Sequence, residues 1–188
     1  MSHITFVDLD ETLVRSFARI SVIKDGKVLE KLTNMEFNEH ELGEGEEYDF
    51  SEFVSSEVFK GSIPLIENIK EIFDRHGANE IAILTARGDF DDKNAFLKTL
   101  RDFGIPAGHY ENGEIHVIRC ATPGIKPCDA KILKIKKILS KRPDVTGITL
   151  IDDSVSNLKA VMNADLGVTK DLEIVTESGI QRIIKESK

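Results

Sequence analysis

The chain has 188 residues, of which 40% are hydrophobic and 31% charged, so its length suits a single domain, 1–188, and its composition is that of a globular protein. The formal net charge of -8 disfavours a general attraction to nucleic acid. No apolar stretch approaches the roughly 20 residues of a membrane span, and residues 1–8 lack the features of a signal peptide. We therefore expect a cytoplasmic protein without a membrane partner.

The first predicted strand is the apolar run at residues 4–7, which ends at Asp8. A β-hairpin is predicted at residues 19–33, where two apolar runs flank Asp25-Gly26, a dipeptide typical of tight hairpin turns. Residues 34–47 are acidic and contain glycine, which predicts a mobile loop or a small lid. Both segments lie between the first and second core strands. We therefore interpret residues 17–60 as a flap hairpin and a possible small cap insertion.

Helices and strands alternate in the rest of the chain. Apolar residues recur at helical spacing at 65–73, 96–103 and 132–139, with Pro64 suited to a first helical turn and Gly77 and Gly104 suited to the ends. Short apolar runs predict buried strands at 81–84 and 148–151, and the tail at 177–188 is predicted to form a short helix. This alternation predicts an α/β fold with a doubly wound parallel sheet of the Rossmann-like kind.

Polar residues stand where three of the predicted strands end. They are Asp8 with Asp10, Thr85, and Asp152 with Asp153. Since open α/β sheets bind ligands at the carboxyl ends of their strands, we expect these side chains to converge. Clustered carboxylates repel one another unless a cation compensates them, and their hard oxygens suit Mg²⁺. A phosphate bound there would also need donors, which Thr85, the amides after it and a lysine near Lys131 can provide.

Three segments resemble motifs of the haloacid dehalogenase (HAD) superfamily. Residues 6–13, Phe-Val-Asp-Leu-Asp-Glu-Thr-Leu, resemble the first motif, Asp-x-Asp-x-Thr after a hydrophobic strand. Residues 83–85 resemble the second motif, a strand that ends in Thr or Ser, and residues 150–154 resemble the acidic fourth motif in its paired-aspartate form. The motifs follow the family's order, and the resemblance covers the core from residue 4 to residue 167.

The resemblance implies a Mg²⁺-dependent phosphatase that forms an aspartyl-phosphate. Asp8 would be the nucleophile, and Asp10 would protonate the leaving oxygen and then deprotonate the attacking water. Thr85 would bind the transferred phosphate. An Asp8 oxygen, the Asp10 backbone carbonyl and one aspartate of the later pair would bind the metal, with Asp153 as the direct ligand and Asp152 as its support.

The third motif of the family is a single lysine. Lys131 fits it best, and Lys126 is the rival. Because the predicted helix that carries Lys131 has four more lysines, the alternative for Lys131 is a solvated basic helix face. Two positions depart from the family pattern, because Glu11 stands where glycine is common and Asn157 where an acidic residue is usual. Asn157 could hydrogen-bond a metal-bound water or support a ligand.

The remaining reactive residue types receive no catalytic role from the sequence. Arg87, two residues after Thr85, could contact substrate or be a surface arginine. The five histidines are scattered, and the two cysteines, Cys120 and Cys128, are not a close pair, so we assign none of them to catalysis or metal binding. The histidines are His3, His40, His76, His109 and His116.

Several functions compete at this stage. A phosphoacceptor signalling domain is disfavoured because Thr85 occupies the middle position, where such a domain has its phosphorylated aspartate. A catalytically idle HAD-like binding protein is disfavoured by the intact Asp8 and Asp10. The net charge favours a nucleotide or another small phosphorylated metabolite as substrate. The short insertion leaves the site open, so nucleic-acid ends and phosphoproteins remain alternatives.

Overall fold

The computed structural model describes residues 2–33, 36–37, 40–108, 115–122 and 124–183. In these ranges the strands are β1 (Ser2–Val7), β2 (Val14–Arg15), β3 (Ile20–Lys24), β4 (Lys27–Leu32), β5 (Glu46–Asp49), β6 (Ile63–Pro64), β7 (Glu80–Thr85), β8 (Ala107–Gly108), β9 (Ile115–Arg119), β10 (Val145–Asp152), β11 (Thr169–Thr176) and β12 (Gly179–Ile183). The helices are α1 (Ser56–Lys60), α2 (Ile66–His76), α3 (Lys93–Asp102), α4 (Pro127–Leu139) and α5 (Val155–Asn163), and a 3₁₀ turn spans Ser51–Val54.

The central sheet of the described chain has seven strands in the order β12-β11-β10-β1-β7-β9-β8. All neighbouring pairs are parallel except β11 and β12. The three predicted core strands are therefore adjacent, and the prediction of an α/β fold with a mostly parallel sheet is confirmed. Val7 lies beside Ile83 on one side and Ile151 on the other, so Asp8 emerges level with the ends of both neighbouring strands.

Helices cover both faces of this sheet, as the alternating side chains of the strands require. On one face, Val7 and Ile83 pack in a cluster with α2 and α3 residues such as Ile72 and Phe96. On the other, Phe6 and Leu150 pack with α4 and α5 residues such as Ile135 and Leu158. Burying each such side chain stabilises the fold by about 1.5 to 3 kcal/mol relative to its exposure. Both faces are thus apolar, which explains the uninterrupted apolar runs in the sequence.

The three predicted helices are α2, α3 and α4. Gly77 ends α2, and Gly104, at φ 84, follows α3 in the left-handed conformation that glycine adopts readily. Pro64 lies outside the first helical turn predicted for it, because it pairs with Val14 in the short β2–β6 ladder and α2 begins at Ile66. No helix in the described ranges is long and apolar enough to cross a membrane.

The helix predicted for the tail is wrong over Gly179–Ile183. These residues form β12, which turns back through Glu177-Ser178 and pairs antiparallel with β11. The apolar residue Ile180 is buried in the core, whereas Gln181 and Arg182 are exposed. A short hairpin on the sheet edge therefore buries Ile180 where a helix was predicted. Residues 184–188 lie outside the described part of the chain.

The insertion, residues 17–60, carries a three-stranded sheet in the order β4-β3-β5. The predicted hairpin is confirmed: β3 and β4 are joined by Asp25 and Gly26, both in the left-handed conformation at φ 50 and φ 73. The acidic stretch predicted as a loop is partly wrong, because its end enters β5, which pairs with β3. A small core of Ile20, Val22 and Leu32 supports this sheet.

Candidate active site at the carboxyl ends of the strands

The candidate site lies at the topological switch point of the central sheet, where the strand order reverses. From β1 the chain continues to β7 on one side and later to β10 on the other, which opens a crevice at the carboxyl ends of these strands. Asp8 follows β1, and Asp152 is the last residue of β10. The Asp8 backbone N–H donates to the Ile151 carbonyl at 2.9 Å, which fixes the Asp8 backbone against β10.

A buried lysine joins the two aspartates. The Lys131 Nζ donates to Asp8 Oδ1 at 2.5 Å and to Asp152 Oδ2 at 2.6 Å, and Lys131 is only 1% exposed. Burial lowers the pKa of the Lys131 ammonium, but the two carboxylates raise it by more, so it lies above the ordinary lysine value. Lys126, the rival in the sequence, is exposed at the start of α4. Of the two lysines, Lys131 is the one that contacts the aspartates.

Asp152 is held by hydrogen bonds from three directions. Besides Lys131, the Asn157 Nδ2 donates to its two oxygens at 3.0 and 3.1 Å, and the Ser154 backbone N–H donates to Oδ1 at 2.9 Å. Ser154 also caps α5 through the Asn157 backbone N–H at 3.4 Å. Asn157, for which the sequence suggested a supporting role, orients Asp152. Asp152 is fully buried, and its oxygens are occupied by these donors.

Asp153 completes an acidic cluster with Asp8 and Asp152. Each of the three offers a carboxylate oxygen, and these atoms lie within 4.8 Å of one another. Lys131 supplies one positive charge for three carboxylates. Burial and the neighbouring Asp152, Asp10 and Asp153 carboxylates raise the pKa of Asp8 well above its ordinary value, although Lys131 lowers it. Hard oxygen donors with excess negative charge could hold a divalent cation such as Mg²⁺.

Asp153 differs from Asp152 in its exposure. It is exposed, whereas Asp152 is fully buried. Protein atoms around the Asp153 carboxylate and the charge of Asp152 nevertheless raise the pKa of Asp153 to about 6. The exposed aspartate is accessible to a ligand, and the buried one is committed to protein donors. The expectation that Asp153 would contact a metal directly and Asp152 would support it stays a prediction.

Asp10 lies outside the acidic cluster and is paired with Arg87. The Arg87 Nε donates to Asp10 Oδ2 at 2.9 Å and its Nη2 donates to Oδ1 at 2.6 Å, a bidentate geometry. Arg87 is only 2% exposed, so the surface alternative for this arginine is wrong. The sequence carried no signal for this pairing, because the two residues are 77 positions apart.

Thr85 is the last residue of β7, and Glu11 lies in the turn after β1. Thr85 is fully buried at the end of β7, and its Oγ1 accepts a hydrogen bond from the Arg87 backbone N–H at 3.2 Å, which leaves the hydroxyl proton free to donate. Glu11 has φ 58, in the left-handed region that favours glycine. A glycine at this position would therefore suit the turn that the chain makes here.

The cysteines and histidines stand apart from this chemistry. Cys120 is fully buried, and burial raises the pKa of its thiol to about 11, which keeps it protonated at neutral pH. The described histidines do not enter the acidic cluster, whereas His109 lies outside the described residues.

The chain matches no family model, no curated protein and no solved structure.

Proposed function

We propose that the protein is a Mg²⁺-dependent phosphomonoester hydrolase of the HAD type, with Asp8 as the nucleophile. The observation that carries this proposal is the cluster of Asp8, Asp152 and Asp153 around the buried Lys131 ammonium at the sheet crevice. Such a cluster suits phosphoryl transfer because it pairs an attacking carboxylate with positive charge for the phosphate. The sequence motifs at residues 6–13, 83–85 and 150–154 support the same function.

In the first step, the Asp8 oxygen that is not bound to Lys131 attacks the substrate phosphorus. The bond between phosphorus and the leaving oxygen breaks, its electron pair goes to that oxygen, and Asp10 transfers a proton to it. A carboxylate has about four acceptor positions, and the bidentate Arg87 occupies two on Asp10, which leaves others for the proton. The products of this step are the free alcohol and an aspartyl-phosphate on Asp8.

In the second step, water attacks the phosphorus of the aspartyl-phosphate. Asp10, now a carboxylate, accepts the proton of the water as the new bond forms. The bond between phosphorus and the Asp8 oxygen breaks, which releases inorganic phosphate and restores the Asp8 carboxylate. The proton that Asp10 gave to the leaving group is thereby replaced, and the enzyme returns to its starting state.

Positive charge and hydrogen-bond donors must compensate the phosphate in a site with three carboxylates. Lys131 has three N–H donors, two of which bind Asp8 and Asp152, so the third can bind a phosphate oxygen. The Thr85 hydroxyl can donate to a second oxygen. Asp8, Asp153 and the Asp10 backbone carbonyl would hold the Mg²⁺, which supplies charge compensation for the phosphate, and Asp152 would support them.

The substrate that we propose is a nucleotide or a small phosphorylated metabolite. The net charge of -8 opposes binding of polyanions such as nucleic acids. The alternatives are phosphatase activity on nucleic-acid ends or phosphoproteins, and binding of a phosphorylated ligand without turnover. These alternatives give different results in a single substrate panel.

The test is phosphate release from an aryl phosphate, nucleotides, sugar phosphates, a 5′-phosphorylated oligonucleotide and a phosphopeptide, with Mg²⁺ or with EDTA. We expect Mg²⁺-dependent release from the small substrates. Asp8→Asn keeps the size of the side chain and removes its nucleophilicity, so it should abolish release. Asp102→Asn is the matched control, because Asp102 is an exposed residue paired with Lys98 on α3.

The wild-type results separate the alternatives. Release only from the oligonucleotide or the phosphopeptide would replace the proposed substrate class. No release from any substrate would contradict the phosphatase and favour the binding protein. Full activity of Asp8→Asn would contradict the aspartyl-phosphate mechanism even if the wild type hydrolyses phosphate.

A further inference from the structure

Most hydrogen-bond donors of Arg87 bind acceptors of the protein itself. A guanidinium has five N–H donors, and four of them are used here. Two bind Asp10, one Nη2 donor binds the Ser16 Oγ at 2.7 Å, and one Nη1 donor binds the Phe53 carbonyl at 2.8 Å. With one donor left, the side chain cannot bind a substrate phosphate through the two parallel N–H···O bonds that arginine commonly makes with phosphate. This arginine is better suited to hold a protein group in place.

The same side chain connects the insertion to the core. The Phe53 carbonyl lies in the 3₁₀ turn at the end of the insertion, and the guanidinium carbon of Arg87 stands 4.8 Å from the centre of the Phe53 ring. The neighbouring loop adds two hydrogen bonds, from the Asp91 N–H to the Val54 carbonyl at 2.9 Å and from the Ser56 N–H to Asp91 Oδ1 at 2.8 Å. This end of the insertion is therefore attached next to Asp10.

We propose that Arg87 is a positioning residue for Asp10. It fixes the Asp10 carboxylate where it exchanges the proton with the leaving group, and it makes that position depend on the attached end of the insertion. The proposal rests on the phosphatase function proposed above. Ser16 helps Arg87 in this role. Its hydroxyl accepts a hydrogen bond from Arg87 Nη2 and so restricts the rotation of the guanidinium that binds Asp10.

The chemistry of the leaving group distinguishes this role from a structural one. An alkyl phosphate releases a strongly basic alkoxide and needs the Asp10 proton as the bond between phosphorus and oxygen breaks. A nitrophenyl phosphate releases a weakly basic phenolate and needs that proton much less. Displacing Asp10 should therefore slow the first step of the alkyl substrate selectively, which kcat/KM measures because it covers only the steps through release of the leaving group. Partial unfolding lowers kcat/KM of both substrates by the same factor.

The experiment compares kcat and KM for p-nitrophenyl phosphate and glycerol phosphate in the wild type, Arg87→Lys and Ser16→Ala. Lysine keeps the positive charge and loses the planar fork that binds both Asp10 oxygens. General acid catalysis is worth about 10²- to 10⁴-fold, so we expect kcat/KM for glycerol phosphate to fall by about 10²-fold in Arg87→Lys. The fall of kcat/KM for p-nitrophenyl phosphate should stay within about 10-fold, because its leaving group needs the Asp10 proton much less.

The matched control is Arg142→Lys. Arg142 also binds a carboxylate through two hydrogen bonds, to Glu80 at 3.1 and 2.9 Å, but it lies at the opposite end of the sheet beside Ser2. Its replacement should leave the ratio of the two kcat/KM values unchanged. Ser16→Ala keeps the Arg87–Asp10 pair, so it tests the proposal if Arg87→Lys does not fold, and it should shift the ratio in the same direction by about 3- to 10-fold.

The possible results separate the two proposals. An equal fall of kcat/KM for both substrates would overturn the positioning role, and so would a rise in KM alone, which would indicate direct contact with substrate. A second check adds Arg87→Lys to Asp10→Asn, where the additional loss should disappear if Arg87 acts through Asp10. A full additional loss would overturn the proposal. A wild type without phosphatase activity on any substrate would overturn both the function and this role.

Discussion

Lys131 is the residue on which the charge balance of the site depends. Its ammonium stands between Asp8 and Asp152 with 1% exposure, so its removal leaves two buried carboxylates without their cation. Breaking such a buried pair typically costs about 3 to 5 kcal/mol. We expect Lys131→Ala to lower the free energy of unfolding by several kcal/mol and to lower kcat by at least about 10²-fold.

Lys126→Ala is the control for this prediction. Lys126 is exposed at the start of the same helix, and its removal should change the free energy of unfolding by less than about 0.5 kcal/mol. Urea unfolding and phosphatase assays on both variants measure the difference. The reverse ranking of the two lysines would show that the contacts of Lys131 do not carry the chemistry.

Glu11 stores conformational strain beside the site. At φ 58 the conformation of a residue with a Cβ is less favourable by about 1 kcal/mol, whereas glycine adopts it without this destabilisation. The ion pair of Glu11 with Arg15, 3.5 Å apart and largely exposed, offsets little of it. We therefore expect Glu11→Gly to be more stable than Glu11→Ala by about 1 kcal/mol in urea unfolding, the opposite of the usual order of glycine and alanine. Equal stabilities, or a more stable alanine variant, would contradict the strain at this turn.

At the scale of elements, apolar pattern and position along the chain determine what could be predicted. The strands at residues 4–7, 81–84 and 148–151 are uninterrupted apolar runs because helices cover both faces of them, and all three were predicted. The strands β9 and β11 were not predicted. They lie nearer the sheet edge and mix apolar with charged residues, as in the Glu173 and Asp171 positions of β11, so their apolar pattern is weaker.

Some features of the candidate site could also be predicted from local sequence, whereas others depend on contacts between residues far apart in the sequence. The aspartates and Thr85 could be predicted to converge because each stands at the end of a predicted parallel strand. The sequence already favoured Lys131 over Lys126 and gave Asn157 a supporting role, but their contacts with the aspartates required the three-dimensional structure. The pairing of Asp10 with Arg87 also required it. Side chains that meet across 77 or 123 positions leave no periodic trace in a single sequence.

At the scale of the whole molecule, the acidic cluster stores repulsion that a cation can relieve. Two carboxylates at the separations found among Asp8, Asp152 and Asp153 repel each other by about 1 to 3 kcal/mol at protein surfaces. A ligand that binds only the folded state raises its stability in proportion to the logarithm of its concentration. Global stability should therefore report on metal binding even without a substrate.

We expect Mg²⁺ to raise the melting temperature of the wild type and EDTA to reverse the rise. Without metal, Asp153→Asn should be more stable than the wild type by about 1 kcal/mol, because one repelling charge is removed. With Mg²⁺, its melting temperature should rise much less than that of the wild type, because one metal ligand is lost. Asp102→Asn, remote from the cluster, should follow the wild type. Thermal melts of the three proteins at several Mg²⁺ concentrations measure these curves. If the wild type and Asp153→Asn respond equally to Mg²⁺, the ion binds elsewhere and the acidic cluster is stabilised by Lys131 alone.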